Sequence, residues 1–322
     1  MRVKAVNYGV AFLAILFLNF LLPRLMPGDP LMAIYGEEAL LQMTPQLKAH
    51  LLERFGLDKP IWKQFLIYLS SLMRGDLGYS YYRNAPVSKV ILSHLPWTLL
   101  LVGTALILSA ILGVIAGIES GWRRGRSLDR ALLVGMMSTS GFPSFFVGVL
   151  LLLFFGVILG VLPLQGAKTA YSDLSGLSLA LDILRHLALP LATLVVLFTS
   201  ANYLLTRNTM VMTLGEPFIL TAKAKGLTEA RVRYVHAGRN SLLPVLTSTG
   251  VQFGTRIVAG ALFVEVVFSY PGMGGLIYNS ILMRDYPVLQ GCALMVTALV
   301  LTANFIVDLL YVKLDPRVRG DG

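Results

Sequence analysis

Charge is scarce in this sequence: 14% of its 322 residues are Asp, Glu, Lys or Arg, against 56% that are hydrophobic. A soluble domain cannot hide that much apolar surface, because burial saturates once a core is filled. The mean hydropathy of +0.71 therefore marks an integral membrane protein. Cysteine is nearly absent. Cys292 stands alone in an apolar run, so no disulfide forms within one chain and no thiol chemistry is implied. The four histidines, His50, His94, His186 and His236, are scattered, which gives no local cluster to ligate a metal. There is no HExxH and no GxxxxGK[ST] loop; Gly166-Ala-Lys-Thr169 only approaches the second. No nucleophile stands in a recognisable setting. A chain of this kind that moves cargo uphill must draw its energy from a partner or from an ion gradient.

Acidic residues are fewer than basic ones, 17 against 27, for a net charge of +10. That excess suits nucleic acid in a soluble protein, but the inner loops of membrane proteins collect Lys and Arg for topological reasons, so no nucleic-acid partner is called for.

The apolar runs predict six spans. The first, Tyr8 to Leu22, follows Arg2 and Lys4 and is read as uncleaved, because Pro23-Arg-Leu-Met-Pro-Gly-Asp-Pro30 offers no small-residue cleavage site. The others run over about 95–118, 131–162 with Pro143 as a kink, 187–205, 242–264 and 288–311. Residues 28–94 form an extracytoplasmic region, in which Leu47, Leu51, Leu52, Phe55 and then Ile61, Phe65, Leu69, Leu72 mark two short amphipathic helices. Residues 163–185 read as a polar loop. The expected division is thus 1–27, 28–94 and a core of 95–322. Basic residues support both termini being cytoplasmic: Arg2, Lys4, Arg123, Arg124, Arg126, Arg130, Arg207, Lys313, Arg317 and Arg319 lie on inner segments, against Lys168, Arg185 and Arg284 on short outer loops. Glycines within the spans, among them Gly103, Gly113, Gly117, Gly135, Gly148, Gly250, Gly254 and Gly260, predict close helix packing.

One polar stretch between apolar runs stands out, within the coupling-loop region 207–240. Pro217 suits a first helical turn, Gly226 suits a helix end, and Thr228 can cap a second short helix through Glu229 to about Asn240. This elbow carries Lys223, Lys225, Arg231, Arg233 and Arg239, so it sits on a membrane face rather than within lipid. Within the spans, Arg256 is the clear charged residue, with Gln252 and Glu265 as further candidates for a pathway and Asp308 as a structural partner near a span end. An interhelical pair or a snorkelling side chain explains Arg256 equally well. The few acidic residues at mid-membrane argue against a proton-coupled carrier.

At the elbow, Thr221-Ala-Lys-Ala-Lys-Gly226 followed by His236-Ala-Gly-Arg-Asn240 and Leu243-Pro244 resembles the coupling loop of the dipeptide, oligopeptide and nickel permeases of ATP-binding-cassette importers. The Glu-Ala-Ala opening of the broader motif is replaced by Leu220-Thr-Ala222, as is typical of that branch. Further blocks follow in order: Met26-Pro-Gly-Asp-Pro30, Gly56-Leu-Asp-Lys-Pro60, Arg74-Gly-Asp-Leu-Gly-Tyr-Ser80, Leu95-Pro-Trp-Thr-Leu99, Tyr270-Pro-Gly-Met-Gly274, Arg284-Asp-Tyr-Pro-Val288 and Asp308 to Arg317. The resemblance implies an all-α, six-helix type I importer permease in the plasma membrane of the cell, with a second homologous permease subunit, two cytoplasmic ATPases and an extracytoplasmic binding protein as partners. No cofactor is expected on this chain; ATP and Mg belong to the ATPases. It further implies that Thr221, Ala222, Lys223, Ala224, Lys225, Gly226 and Leu227 form the ATPase-coupling helix, supported by Arg231, His236, Arg239, Asn240 and Pro244. The cargo is then a di- or oligopeptide, with a nickel chelate as the alternative.

Overall fold

A computed structural model describes residues 2–25, 31, 35, 41–54, 59–80, 82–242, 244–245, 247–248 and 261–314, with side chains described throughout except at 2–8, 22–25, 51, 53–54 and 307–314. The described chain is mostly helical. In order it forms α1 (Arg2–Leu25), α2 (Pro45–Arg54), α3 (Ile61–Met73), the strands β1 (Tyr79–Ser80) and β2 (Ala85–Pro86), α4 (Val87–Trp122) and α5 (Ser127–Ser140). Then come α6 (Ser144–Leu151), which runs on as π-helical turns over Leu152–Ile158, α7 (Gly176–Thr213) and α8 (Pro217–Ala224). A second π-helical segment covers Arg231–Gly238, and α9 (Ala261–Val267), α10 (Met273–Leu282) and α11 (Tyr286–Leu314) complete the order. Residues fall into two compact units, one of 1–97 with 271–302 and one of 98–270 with 303–321.

In the first unit the core is Val87, Val90 and Ile91 of α4 against Met273 and Leu276 of α10 and Val288 and Cys292 of α11. Gly291 permits that contact, since a Cβ there would lie 2.5 Å from Val87 Cγ1. Asn19 of α1 donates to the Tyr68 hydroxyl (3.2 Å) and to the Gln290 carbonyl (3.1 Å), and Gln290 Nε2 returns a bond to the Asn19 carbonyl (2.9 Å). The two short helices expected in the extracytoplasmic stretch are α2 and α3. The antiparallel β1–β2 ribbon between Gly78 and α4 was not foreseen; Ser80 Oγ ties it to Asp285 Oδ2 at 2.5 Å.

The second unit holds α7 whole, together with most of α4. Among the described residues α4, α7 and α11 are each long and apolar enough to cross a bilayer. With 38 residues α7 extends about 57 Å, well beyond the hydrocarbon thickness. It begins at Gly176, so half of the polar loop expected over 163–185 is helix. The reason is the apolar stripe Leu177, Leu181 and Leu184, spaced for one helical face.

The expected kink at Pro143 is a full break. α5 ends at Ser140 and the chain restarts at Ser144, with a bend of 104° between the two limbs. Proline lacks the N–H that would continue the ladder and excludes helical backbone from the residue before it. Pro143 itself is extended, at φ −61° and ψ 146°.

The packing of α4 on α7 explains three glycines. Gly113, Gly117 and Gly121 face Asn202, Thr206 and Met210, every fourth residue on both helices. An added Cβ would lie 2.6, 2.5 and 2.8 Å from the Cβ atoms of those three residues. No side chain fits such a seam, and backbone-to-backbone approach is what holds helices together where lipid removes the hydrophobic drive. Gly148 similarly admits Phe268 to 3.3 Å, whereas Gly103 and Gly135 face open space. Gly250, Gly254 and Gly260 lie outside the described residues.

Candidate functional site

At one polar end of the second unit, α7 gives way to the basic elbow. Helix α8 starts with Pro217 in its first turn behind Glu216. It ends in a reciprocal pair of backbone bonds: Leu227 N donates to the Ala222 carbonyl (3.4 Å) and Gly226 N to the Lys223 carbonyl (3.0 Å). With Gly226 at φ +74° this is a Schellman termination, the accompanying apolar contact being Leu227 against Ala222. The left-handed backbone at position 226 is why glycine stands there. The chain then passes through Leu227-Thr228, and helix resumes at Glu229, with Val232 N donating to the Thr228 carbonyl at 3.0 Å. The turns over Arg231–Gly238 are π-wound rather than regular α-helix.

An apolar cluster seats the elbow on the spans. Ile219 and Ala222 of α8, with Val232 and Ala237 of the π segment, bury against Ile118 of α4 and Met210 of α7; Leu227, Trp122 and Leu214 close the edges. The residues expected to act together at the elbow therefore divide. Ala222 (5% exposed) and the half-buried Leu227 face inward and hold the helix in place. Thr221, Lys223, Ala224, Lys225 and Gly226 face outward. Leu220 joins them at 67% exposed, the most exposed large apolar side chain of α8. Sequence reasoning passed over Leu220; its place one turn from Ala224 on the face opposite Ile219 and Ala222 is the signal that identifies it.

The supporting residues also divide. Arg231, Arg239 and Asn240 are exposed, and Asn240 Nδ2 donates to the His236 carbonyl at 3.1 Å. His236 and Pro244 are half-buried. The contacts that fix the π segment come instead from Arg233 and Tyr234. Arg233 Nη1 reaches both oxygens of Glu119 on α4, at 2.9 and 3.2 Å, and the Tyr234 hydroxyl donates to Glu119 Oε1. Burial alone works against the Arg233 charge, but hydrogen bonding to Glu119 and Tyr234 outweighs it and raises the pKa above the ordinary arginine value. The guanidinium also lies 5.0 Å from the Trp122 ring centroid, and Lys223 Nζ lies 5.8 Å from the same ring.

A second polar knot lies beside the first. Arg207 of α7 binds Asp129 of α5 through Nε (2.6 Å) and Nη2 (2.9 Å). Asp129 also accepts from Ser120 Oγ (2.5 Å) and from the Gly125 amide (2.8 Å), and Ser120 Oγ meets the Tyr203 hydroxyl at 2.7 Å. Thus α4, α5 and α7 are bound to one another at the level of the elbow. Next to this end, a cavity of about 670 Å³ is lined by Leu112, Ala116, Glu119, Leu132, Met136 and Thr199 among others.

Of the candidate pathway residues, Arg256 and Gln252 lie outside the described residues. Glu265 is fully buried on α9 and accepts a hydrogen bond from Thr98 Oγ1 at 2.6 Å. Among the described residues no group of three or more His, Cys, Asp or Glu could hold a metal ion.

Residues 109–320 match the family described as binding-protein-dependent transport system inner membrane component, and residues 2–102 match its N-terminal counterpart. The chain is 38% identical over 322 residues to the di/tripeptide transport system permease protein DppB of Pseudomonas aeruginosa, covering 96% of this chain and 95% of the relative. It is 35% identical over 325 residues to the dipeptide transport system permease protein DppB of Escherichia coli K12, at the same two coverages of 96% and 95%. To the glutathione transport system permease protein GsiC of Escherichia coli O6:H1 it is 37% identical over 302 residues, covering 94% and 92%.

Proposed function

The chain belongs to the family of inner-membrane components of binding-protein-dependent transport systems, and from that premise we propose the following assembly and cargo. The protein is a multi-pass inner-membrane permease subunit of an ATP-binding-cassette importer and not itself an enzyme. It crosses the membrane six times with both termini in the cytoplasm, pairs with a second homologous permease, and is driven by two cytoplasmic ATPase subunits that carry the ATP and Mg. An extracytoplasmic binding protein delivers the cargo. That cargo is a short peptide: the relatives above are named for dipeptides, di/tripeptides and glutathione, which favours peptides over nickel.

The observation that carries the mechanism is the split face of α8. One side is buried against the ends of α4 and α7, while Leu220, Thr221, Ala224 and Lys225 are exposed on the other, and Lys223, also exposed, reaches back over Trp122. A helix this short keeps its shape through internal hydrogen bonds and through the termination at Gly226. Seated in a groove of an ATPase, it acts as a lever: closure of the ATPases on ATP displaces it, and α4 and α7 follow because the apolar cluster joins them to it. The basic side chains outside the contact add attraction to an acidic groove rim and, where they meet the bilayer, to lipid headgroups.

Uptake of a labelled dipeptide into proteoliposomes tests this reading. Accumulation requires both permeases, both ATPases, loaded binding protein and ATP. Uptake by this chain alone on an imposed pH gradient contradicts it and makes the protein a secondary carrier.

A further inference from the structure

The last turn of α4 is a poor place for a carboxylate on local grounds, because the carbonyl end of a helix carries partial negative charge. Glu119 is there nonetheless. Two of its three basic or hydroxyl partners come from the π segment, 114 and 115 residues further on: Arg233 at 2.9 and 3.2 Å, and the Tyr234 hydroxyl. The third, Arg123, forms an ion pair at 3.2 Å from the turn that follows α4. Three residues along, the Trp122 ring is approached by Lys223 from α8 and by Arg233 from the π segment, so both limbs of the elbow close on one turn of α4. Ser120, the residue after Glu119, reaches in the other direction to Asp129 and Tyr203, and Asp129 holds Arg207.

We propose that Glu119 is the pin through which movement of the elbow is transmitted to α4, α5 and α7. The proposal rests on the reading of the elbow as the ATPase contact. A pin is needed because α8 is joined along the chain to the second limb only by Lys225–Thr228 and to α7 only by Leu214–Glu216. The apolar cluster beneath it resists separation, but apolar contact is non-directional and permits sliding. The charge-assisted bonds from Arg233 Nη1 to both Glu119 oxygens, with the Tyr234 hydroxyl on Oε1, are directional where apolar contact is not. Glu119 and Ser120 are adjacent, so a force entering at Arg233 leaves at Asp129 across a single peptide unit. Glu119 is a positioning residue in this scheme. It touches neither cargo nor nucleotide.

The test uses the assembled importer with Glu119→Gln in this chain, and the purified full chain alone for amide exchange. In the assembled importer, maximal peptide uptake falls about tenfold, the order expected for loss of a partly buried charge-assisted contact. ATP consumed per peptide rises, and the concentration of loaded binding protein giving half-maximal uptake is unchanged. In the chain alone, backbone amides of 229–238 exchange faster. The double variant Glu119→Arg, Arg233→Glu restores the ATP-to-peptide ratio in part. If Glu119→Gln does not assemble, Tyr234→Phe removes one donor, leaves the ion pair, and gives the same changes in smaller measure. Unchanged exchange, or faster exchange with an unchanged ATP-to-peptide ratio, overturns the proposal. Failure of the underlying reading has a different signature: the exchange effect persists, but Leu220→Cys forms no cross-link to the ATPase.

Discussion

Arg207 holds Asp129 through two nitrogens, at 2.6 and 2.9 Å, across the gap between α7 and α5, and both side chains are largely buried. Removing one partner of such a pair leaves the other charged and desolvated, which costs more than the pair contributes. Asp129→Asn is expected to destabilise the folded chain by about 3 kcal/mol. Combining Asp129→Leu with Arg207→Leu recovers part of that loss, since no charge is then stranded. Unfolding temperatures in one detergent decide the point: equal losses in single and double variants count against it.

The seam between α4 and α7 tolerates no side chain. Gly117→Leu places its Cβ 2.5 Å from Thr206 Cβ and 2.9 Å from the Tyr203 carbonyl oxygen, inside van der Waals contact with both. Overpacking of this kind costs about 1–3 kcal/mol, and backbone on the opposing side puts it at the upper end. Gly103→Ala, whose Cβ enters open space, is neutral or gains up to about 1 kcal/mol from helix propensity. Thermal unfolding of the two variants side by side is the check.

At Gly226 the backbone is left-handed, at φ +74°. Gly226→Ala costs about 1–2 kcal/mol locally, and Gly226→Asn costs less, because asparagine tolerates that region better. Gly226→Pro cannot adopt the conformation, since its ring fixes φ near −65°. The expected result is a chain that still inserts but no longer couples ATP hydrolysis to uptake. Wild-type uptake and binding-protein-stimulated ATPase activity in the proline variant would refute the role given to this turn.

Leu220 presents its side chain outward from a helix whose other face is buried. Leu220→Glu is therefore expected to leave the fold intact while weakening association with the ATPase by about 1–3 kcal/mol, the range for losing one well-packed apolar anchor. Titration of ATPase onto reconstituted permease reads the loss directly, and unfolding temperature serves as the control.

Much of the elbow was legible because its signals are local. Pro217 and Gly226 mark a start and a stop through backbone chemistry that acts within one or two turns, and α8 falls between them as expected. Thr228 precedes the second limb but accepts only through its carbonyl, and that limb is π-wound rather than a capped α-helix. The run of basic residues likewise marked a segment excluded from lipid. What escaped was contact across long sequence separations. Nothing near Glu119 announces Arg233, and nothing near Asp129 announces Arg207, because each pairing exists only after α4, α5 and α7 have packed. Gly121 went unnoticed beside Gly113 and Gly117 because a four-residue glycine period identifies a seam only once the opposing helix supplies its own, here Asn202, Thr206 and Met210. At Pro143 the sequence marked the place but not the angle. A proline with glycine two residues before it permits a kink or a break, and the packing of the two limbs selects between them.

The central claim is that an ATPase subunit seats on the outward face of α8. Cysteine cross-linking in the assembled importer tests it most directly. The single native thiol, Cys292, is buried and is replaced by alanine to clear the background. Leu220→Cys and Ala224→Cys are then expected to form cross-links to the ATPase that change in yield when ATP is added, while Arg124→Cys on the neighbouring loop forms few. Absence of cross-links at 220 and 224, with efficient cross-linking at 124, would contradict the account and move the ATPase contact to the turn between α4 and α5.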